Sequence, residues 1–300
     1  MNEPVFFSIV VPTYNRAHLI SATVESVLNQ TYKNFELLVI DDGSTDDTES
    51  VMQKYISDKV RYFKKENGER GSCRNYGTAL AKGDYINWFD SDDIMLPNHL
   101  EVASGLVTRF QRAELFSTGF RYQDGDGNLI STSNYPTDIN KELYKGNAIV
   151  IDCLFVRRDV ALELPFNEDR ALSASEDYEL WLRMGAKYKF HTVPDITVAV
   201  IYHLERSVIA MTNPNQLIAR YTRFIQYSTA DPSVAAFLGS NKDAFVMKNY
   251  LYLAVALAHH HHLDQAKKYL KMAISSSPRI FLEKGFYAFL KHYLRHSLSQ

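Results

Sequence analysis

Three carboxylates, Asp90, Asp92 and Asp93, fall within four residues just after the apolar run "DYINWF" (84–89). Like charges at that spacing repel, so the run ends either in a solvated turn or beside a cation. Carboxylate oxygens are the natural ligands of hard divalent cations, and Mg²⁺ commonly takes one or two of them, completing its shell with water and substrate phosphate. An acidic loop after a strand therefore suits a metal–diphosphate site holding Mg²⁺ or Mn²⁺. A second pair, Asp41 and Asp42, ends the run "FELLVI" (35–40). A carboxylate only accepts hydrogen bonds, so against a nucleobase it selects a ring N–H, as in uracil, thymine or guanine, and favours UDP, GDP or dTDP. The competing reading is a helix start dressed with acids that complement its dipole. Neither G-x-G-x-x-G nor G-x-x-x-x-G-K-[ST] occurs, so a diphosphate must be neutralised by a metal, assisted by Arg74 or Lys82. A third pair, Glu176 and Asp177, opens "EDYELWLRM". One of the two is suited to take a proton from an attacking hydroxyl; alternatively both are first-turn acids of a helix capped by Ser173 or Ser175.

Positioning these groups falls to strands alternating with helices. Continuous apolar, β-branched runs at 6–11, 35–40, 60–63 and 84–89 predict strands, the first two buried on both faces. Helical spacing or capping predicts helices over 17–29, from Asp46 or Asp47 to about Tyr55, and over 70–82. Such alternation implies crossover units and a mostly parallel sheet, with ligands beyond the carboxyl ends of the strands. The polar clusters at 12–16, 41–47 and 90–93 all follow strands, so three loops share one edge. Further on, a helix covers 98–111 and a hairpin turns around Gly125–Asn128. Residues 149–158 predict a strand, 173–188 a helix, and 189–204 a strand-rich stretch. The "DGDGN" turn is no calcium loop, because its sixth position is Leu129 and its twelfth Tyr135.

The 300 residues are 46% hydrophobic and 23% charged, with a formal charge of −2, which fits a globular protein and argues against a nucleic-acid partner. Cys73 and Cys153 form neither a disulfide framework nor a metal-spaced pair. With no signal peptide and no membrane-length apolar run, the sequence predicts a cytoplasmic protein.

"SIVVPTYNR", "VIDDGSTDDT", "GSCRNYGTALAKGDYINWFDSDD" and "SEDYELWLRM", spread in order over residues 6–205, resemble the successive signatures of family 2 glycosyltransferases with the GT-A fold. The resemblance implies a three-layer α/β fold with a mostly parallel central sheet. It also implies sugar transfer from a nucleotide-diphospho donor to an acceptor hydroxyl, with inversion and with Mg²⁺ or Mn²⁺. By motif, Pro12, Thr13 and Tyr14 would line the nucleotide edge. Asp42 would hold the base with Asp41 beside it, and Arg74, Asp90 and Ser91 would contact the nucleotide. Asp92 or Asp93 would ligate the metal, the adjacent carboxylates leaving the choice open. His203 falls where many members place a histidine near the diphosphate, and Asp177 matches the general base. The implied role is assembly of a bacterial cell-surface polysaccharide on a glycan or lipid-linked acceptor. A nucleotidyltransferase is the rival enzyme reading, though "PTYNR" poorly replaces its glycine-rich loop. A catalytically silent sugar-nucleotide-binding or scaffold module is the rival from another class.

From about residue 211 the composition turns to amphipathic helices, which predicts a domain of residues 1–210 and a helical extension of residues 211–300. Residues 252–278 resemble one tetratricopeptide-type helix pair, and "HHHH" (259–262) predicts a polar helix end or loop. Residues 279–295 gather an apolar face with Arg279, Lys284, Lys291 and Arg295 against Glu283, which suits peripheral contact with the anionic inner face of a plasma membrane, or simple packing of an amphipathic helix.

Overall fold

The structure, a computed structural model, describes residues 4–133, 135–203 and 212–297. The chain forms two compact units. The first comprises residues 1–140, 148–170 and 188–203; the second comprises 141–147, 171–187 and 204–300.

The first unit is built on strands β1 (Phe7–Thr13), β2 (Phe35–Asp41), β3 (Val60–Lys64), β4 (Tyr85–Trp88), β5 (Ile94–Met95), β6 (Leu115–Gln123), β7 (Leu129–Thr132), β8 (Leu154–Arg157) and β9 (Phe190–Ile201). They form one sheet in the order β3-β2-β1-β4-β8-β6-β9-β5, with β7 paired to β6. β3, β2, β1 and β4 run parallel. β8 enters antiparallel between β4 and β6, and beyond it the sheet is mixed.

Both faces of β1 are buried, as its continuous apolar run requires. Successive side chains point to opposite faces. Phe7, Ile9 and Val11 join a core with α1 (Ile20–Leu28), Met52 of α2 (Thr48–Gln53), and Leu100, Ala103 and Val107 of α4 (His99–Arg109). On the other face Val10 meets α3 (Glu69–Leu80) at Gly77, where an added Cβ would lie 2.3 Å from a Val10 methyl. Helix, sheet and helix make three layers. The parallel register sets Thr13 beside Asp41 and Val10 beside Trp88, so the chain leaves β1, β2 and β4 on one edge. The predicted strand at 149–158 is shorter than expected: Ile151–Cys153 is a 3₁₀ turn and only β8 pairs. The short helix α5 (Ile139–Glu142) falls where the chain passes from the first unit to segment 141–147 of the second, and α6 (Arg158–Glu163) completes the first. In the β6–β7 turn the Asp124 carboxylate accepts the backbone N–H of Asp126 (3.0 Å) and Asn128 (2.8 Å), which explains those acids without calcium.

The second unit holds α7 (Glu176–Lys187), α8 (Pro214–Ala230), α9 (Pro232–Leu238), α10 (Lys242–His259), α11 (Leu263–Ser276) and α12 (Lys284–Ser297). Asn213 and Asp231 cap α8 and α9 by accepting two backbone N–H groups each, with proline following at the first helical position. Tyr178 stacks on Phe224, and Phe245 meets both rings at steeper angles. The four consecutive histidines close α10 and turn the chain into α11, with His261 at φ +66°. Among the described residues no helix is long and apolar enough to cross a membrane.

Candidate functional site

The loops after β1 and β2 knit together before any ligand is considered. Asp42 donates its N–H to the Thr13 carbonyl (2.9 Å), and Asn15 donates its N–H to the Ser44 hydroxyl (2.9 Å). The Asn15 side chain returns the contact by accepting the Thr45 N–H (2.8 Å). Asn15 holds a left-handed φ of +50°, which asparagine tolerates better than most residues. Pro12 and Thr13 lie within β1, and Tyr14 is half-exposed at its end. The Thr13 hydroxyl is buried and has no hydrogen-bond partner.

Asp41 and Asp42 are both buried, but their surroundings differ. Asp41 accepts the Ser44 N–H (2.7 Å) and the Tyr62 hydroxyl, which fixes the turn around Gly43. Burial first, then this contact, pushes the Tyr62 phenol far above its ordinary range. Asp42 sits in a ring of donors: the Lys65 ammonium (2.9 Å), the Asn67 amide (3.0 Å) and the Gly68 N–H (2.8 Å). Burial, with Asp42 as the next cause, also raises the Cys73 thiol well above its ordinary value, so that cysteine stays protonated. Arg170 donates to the Asn67 side chain (2.9 Å), closing the ring.

The acidic loop after β4 divides its three carboxylates. Asp90 takes the guanidinium of Arg74 at 2.8 Å; Arg74 is 1% exposed and lies over the Phe166 ring at 5.3 Å. Asp93 is fully buried and accepts the Ile201 N–H at 2.7 Å, while Thr23 bonds its carbonyl. Asp92 turns the other way, 3.0 Å from the His203 ring nitrogen and 3.9 Å from Arg16. Ser91, between them, is buried. A fourth acid, Asp152, is fully buried on the 3₁₀ turn and accepts the Asp90 N–H at 2.6 Å. Ligand atoms of Asp90, Asp93 and Asp152 all lie within 4.8 Å of one another. Carboxylate oxygens crowded this closely, with an imidazole beside Asp92, are a donor set that fits a hard divalent cation. Lys82 lies elsewhere: its N–H reaches Glu36, near the amino end of β2, away from the edge that carries these loops.

Sequence reasoning missed Asp152, Lys65, Asn67 and Arg170. A lone acid inside the apolar "IVIDCLFV" was the available signal for Asp152; nothing in spacing marks the other three.

In the second unit Asp177 stands in the first turn of α7, accepting the Asn147 amide at 2.8 Å and the Tyr178 N–H at 2.7 Å. Glu176 is buried. The turn before it contains Ala174 at φ +67°, a strained value for a residue with a Cβ. Arg220 of α8 holds that turn, donating to the Ser175 hydroxyl at 2.6 Å and to the Ala174 carbonyl. Ser175 is thus bonded across to α8 through its hydroxyl, and Arg220 is another residue without a sequence signal.

Residues 8–164 match the model of glycosyl transferase family 2. An uncharacterized glycosyltransferase of Rickettsia felis is 31% identical over 226 residues, 70% of this chain and 36% of that protein. Chondroitin synthase of Escherichia coli is 32% identical over 205 residues, 67% of this chain and 30% of that one. The chain thus spans about a third of the length of these relatives. Among solved structures, S. aureus TarS 1–349 in complex with UDP-GlcNAc is 16% identical with a TM-score of 0.64, over 98% of this chain and 92% of that one. The Pyrobaculum calidifontis mannosyltransferase PcManGT, in complex with GDP-Man and Mn²⁺, is 17% identical with a TM-score of 0.58, over 98% and 86%. These likenesses establish the GT-A fold that the four motifs led us to expect. The chain belongs to glycosyl transferase family 2.

Proposed function

We propose that this member of glycosyl transferase family 2 moves a sugar from a nucleotide-diphospho donor to an acceptor hydroxyl, with inversion at the anomeric carbon. The observation that carries the reading is the shared edge: the ring around Asp42 and the divided acidic loop leave the carboxyl ends of β2 and β4, the parallel strands on either side of β1, where such sheets bind ligands. Asp42 accepts a base N–H while Lys65 and Asn67 keep its carboxylate oriented. The buried Thr13 hydroxyl gains a partner when the nucleotide lies over the β1 edge, and exposed Tyr14 packs on it. Arg74 fixes the Asp90 carboxylate toward the ribose.

Asp92 and His203, 3.0 Å apart and less buried than Asp93 and Asp152, are the pair we assign to the cation, Mg²⁺ or Mn²⁺, at the rim of the crowded carboxylates. When bound, such a cation offsets negative charge developing on the leaving diphosphate. Asp177 takes the acceptor proton; Asn147 and Arg220 fix its orientation and the turn that carries it. That assignment rests on the motif. The PcManGT complex containing Mn²⁺ and GDP-Man, and the TarS complex with UDP-GlcNAc, support a metal-assisted UDP- or GDP-sugar reaction. The likeness to chondroitin synthase supports a role in polysaccharide assembly; a bacterial surface polysaccharide built on a glycan or lipid-linked acceptor is the reading the motifs imply.

Calorimetric titration with UDP, GDP and dTDP, with and without Mn²⁺, tests the reading. Metal-dependent binding of one diphosphate, followed by turnover of its sugar conjugate, is expected. No binding of any of them would overturn it and favour a silent scaffold.

A further inference from the structure

The last helix carries a surface feature that sugar transfer does not use. Along α12 the inward residues Phe286, Phe289, Leu290 and Tyr293 pack on α10 and α11. Among its described side chains the exposed ones are Lys284, Tyr287, Lys291 and Leu294, at spacings of three, four and three, so they form one stripe of alternating cation and apolar group. The turn Pro278–Leu282 extends the stripe with Phe281, and with Leu282 at 85% exposed, the largest exposure of any large apolar side chain among the described residues. Tyr287 ties the two together by donating its hydroxyl to the Phe281 carbonyl (3.2 Å). Residues 279–294 contain one acid, Glu283, and the Lys248 ammonium holds it at 2.6 Å. The exposed charge of the stripe is therefore positive throughout.

We infer that this stripe docks on an anionic lipid surface, α12 lying in the plane of the headgroups with Phe281 and Leu282 inserted at its leading end. The pattern selects this occupant. A protein interface concentrates its apolar groups in a desolvated centre and places charge at the rim, whereas here cation and apolar group alternate over three turns. Interfacial helices have this form, apolar groups entering the acyl boundary while lysines meet lipid phosphates. The inference is independent of the donor and of the base; it adds where an acceptor held at a membrane would be met.

The test is co-flotation of the full chain with phosphatidylcholine vesicles, alone or with about a third phosphatidylglycerol, a composition on which each basic residue near the surface strengthens binding roughly five-fold. The parent should float with the anionic vesicles only, and less at high salt. Lys284→Glu with Lys291→Glu should abolish flotation, and Leu282→Ser should weaken it several-fold. All three side chains are exposed, so an unchanged circular dichroism spectrum and unchanged nucleotide titration would show the fold and the donor site intact. Equal flotation of parent and variants would overturn the inference. So would a parent that ignores anionic vesicles yet dimerises through Leu282, since the stripe would then serve a second copy.

Discussion

Replacing Asp152 by asparagine separates two consequences of crowding acids beneath the β4 loop. Asparagine keeps the side-chain oxygen that accepts the Asp90 N–H at 2.6 Å, so the loop retains its anchor. What disappears is one ionisable carboxyl within 4.8 Å of two others. At the widest separation of 4.8 Å and an effective dielectric near 20, each ionised pair costs about 3.5 kcal/mol, so the two removed pairs amount to about 7 kcal/mol or more before any offset. Arg74, 2.8 Å from Asp90, already offsets part of it. If a net gain of even about 1 kcal/mol survives, the melting temperature in EDTA should rise by roughly 2–4 °C. The assay is thermal unfolding of parent, Asp152→Asn and Asp92→Ala, each in EDTA and with Mn²⁺ plus UDP. A ligand at a hundred times its dissociation constant adds about 2.7 kcal/mol. That increment should survive in Asp152→Asn and vanish in Asp92→Ala. Two results would refute the reasoning. A lower melting temperature in EDTA would mean that the three acids do not repel in the folded protein. Loss of the Mn²⁺ increment in Asp152→Asn alone would move the cation into the buried triad.

Asp177→Asn should lower kcat by two to four orders of magnitude, the usual contribution of a general base, while leaving UDP or GDP affinity within two-fold by calorimetry. Arg220→Lys keeps the charge but not the forked contact with Ser175 and Ala174; it should reduce kcat without raising the donor KM, and an equal loss in nucleotide binding would contradict its assigned role. Gly77→Ala forces a methyl against Val10 and should cost about 1–3 kcal/mol in urea unfolding. Burial holds the His99 imidazole neutral, its pKa lowered to about 3. The unfolded chain therefore binds a proton that the folded one refuses between about pH 6.5 and 3. Stability from this group is intact above pH 6.5 and falls by about 1.4 kcal/mol per unit as the pH drops below it. His99→Gln should flatten that slope in pH-dependent denaturation.

The strands that carry the site were legible because each is a continuous apolar run with a polar break: β1, β2, β3 and β4 begin and end within two residues of expectation. The stretch 149–158 misled because Asp152 interrupts an apolar run without changing its average; the chain turns there to bring that carboxylate under Asp90, and pairing starts only at Leu154. Sheet order beyond β4 was not legible, since inserting β8 between β4 and β6 depends on pairings between distant segments, and two-residue β5 leaves no period to read. Motifs marked the charged groups but not their partners. Lys65, Asn67 and Arg170 act by reaching Asp42 or one another through space. The shift to helical composition near 211 likewise bears no trace of the earlier segments 141–147 and 171–187, which cluster with those helices.

Arg220 gives that last point an evolutionary edge. A helical extension joined only by a linker could be exchanged between relatives as a cassette, with a crossover near residue 211 leaving both halves sound. Here the guanidinium that braces Ala174 in its left-handed conformation is supplied by a helix forty-six residues downstream. A recombinant that imported a foreign tail without a matching arginine would inherit an unbraced turn ahead of Asp177. Viable crossovers should therefore fall upstream of residue 171, so that α7 and α8 travel together, and natural chimaeras of this lineage should keep the pair as one heritable block.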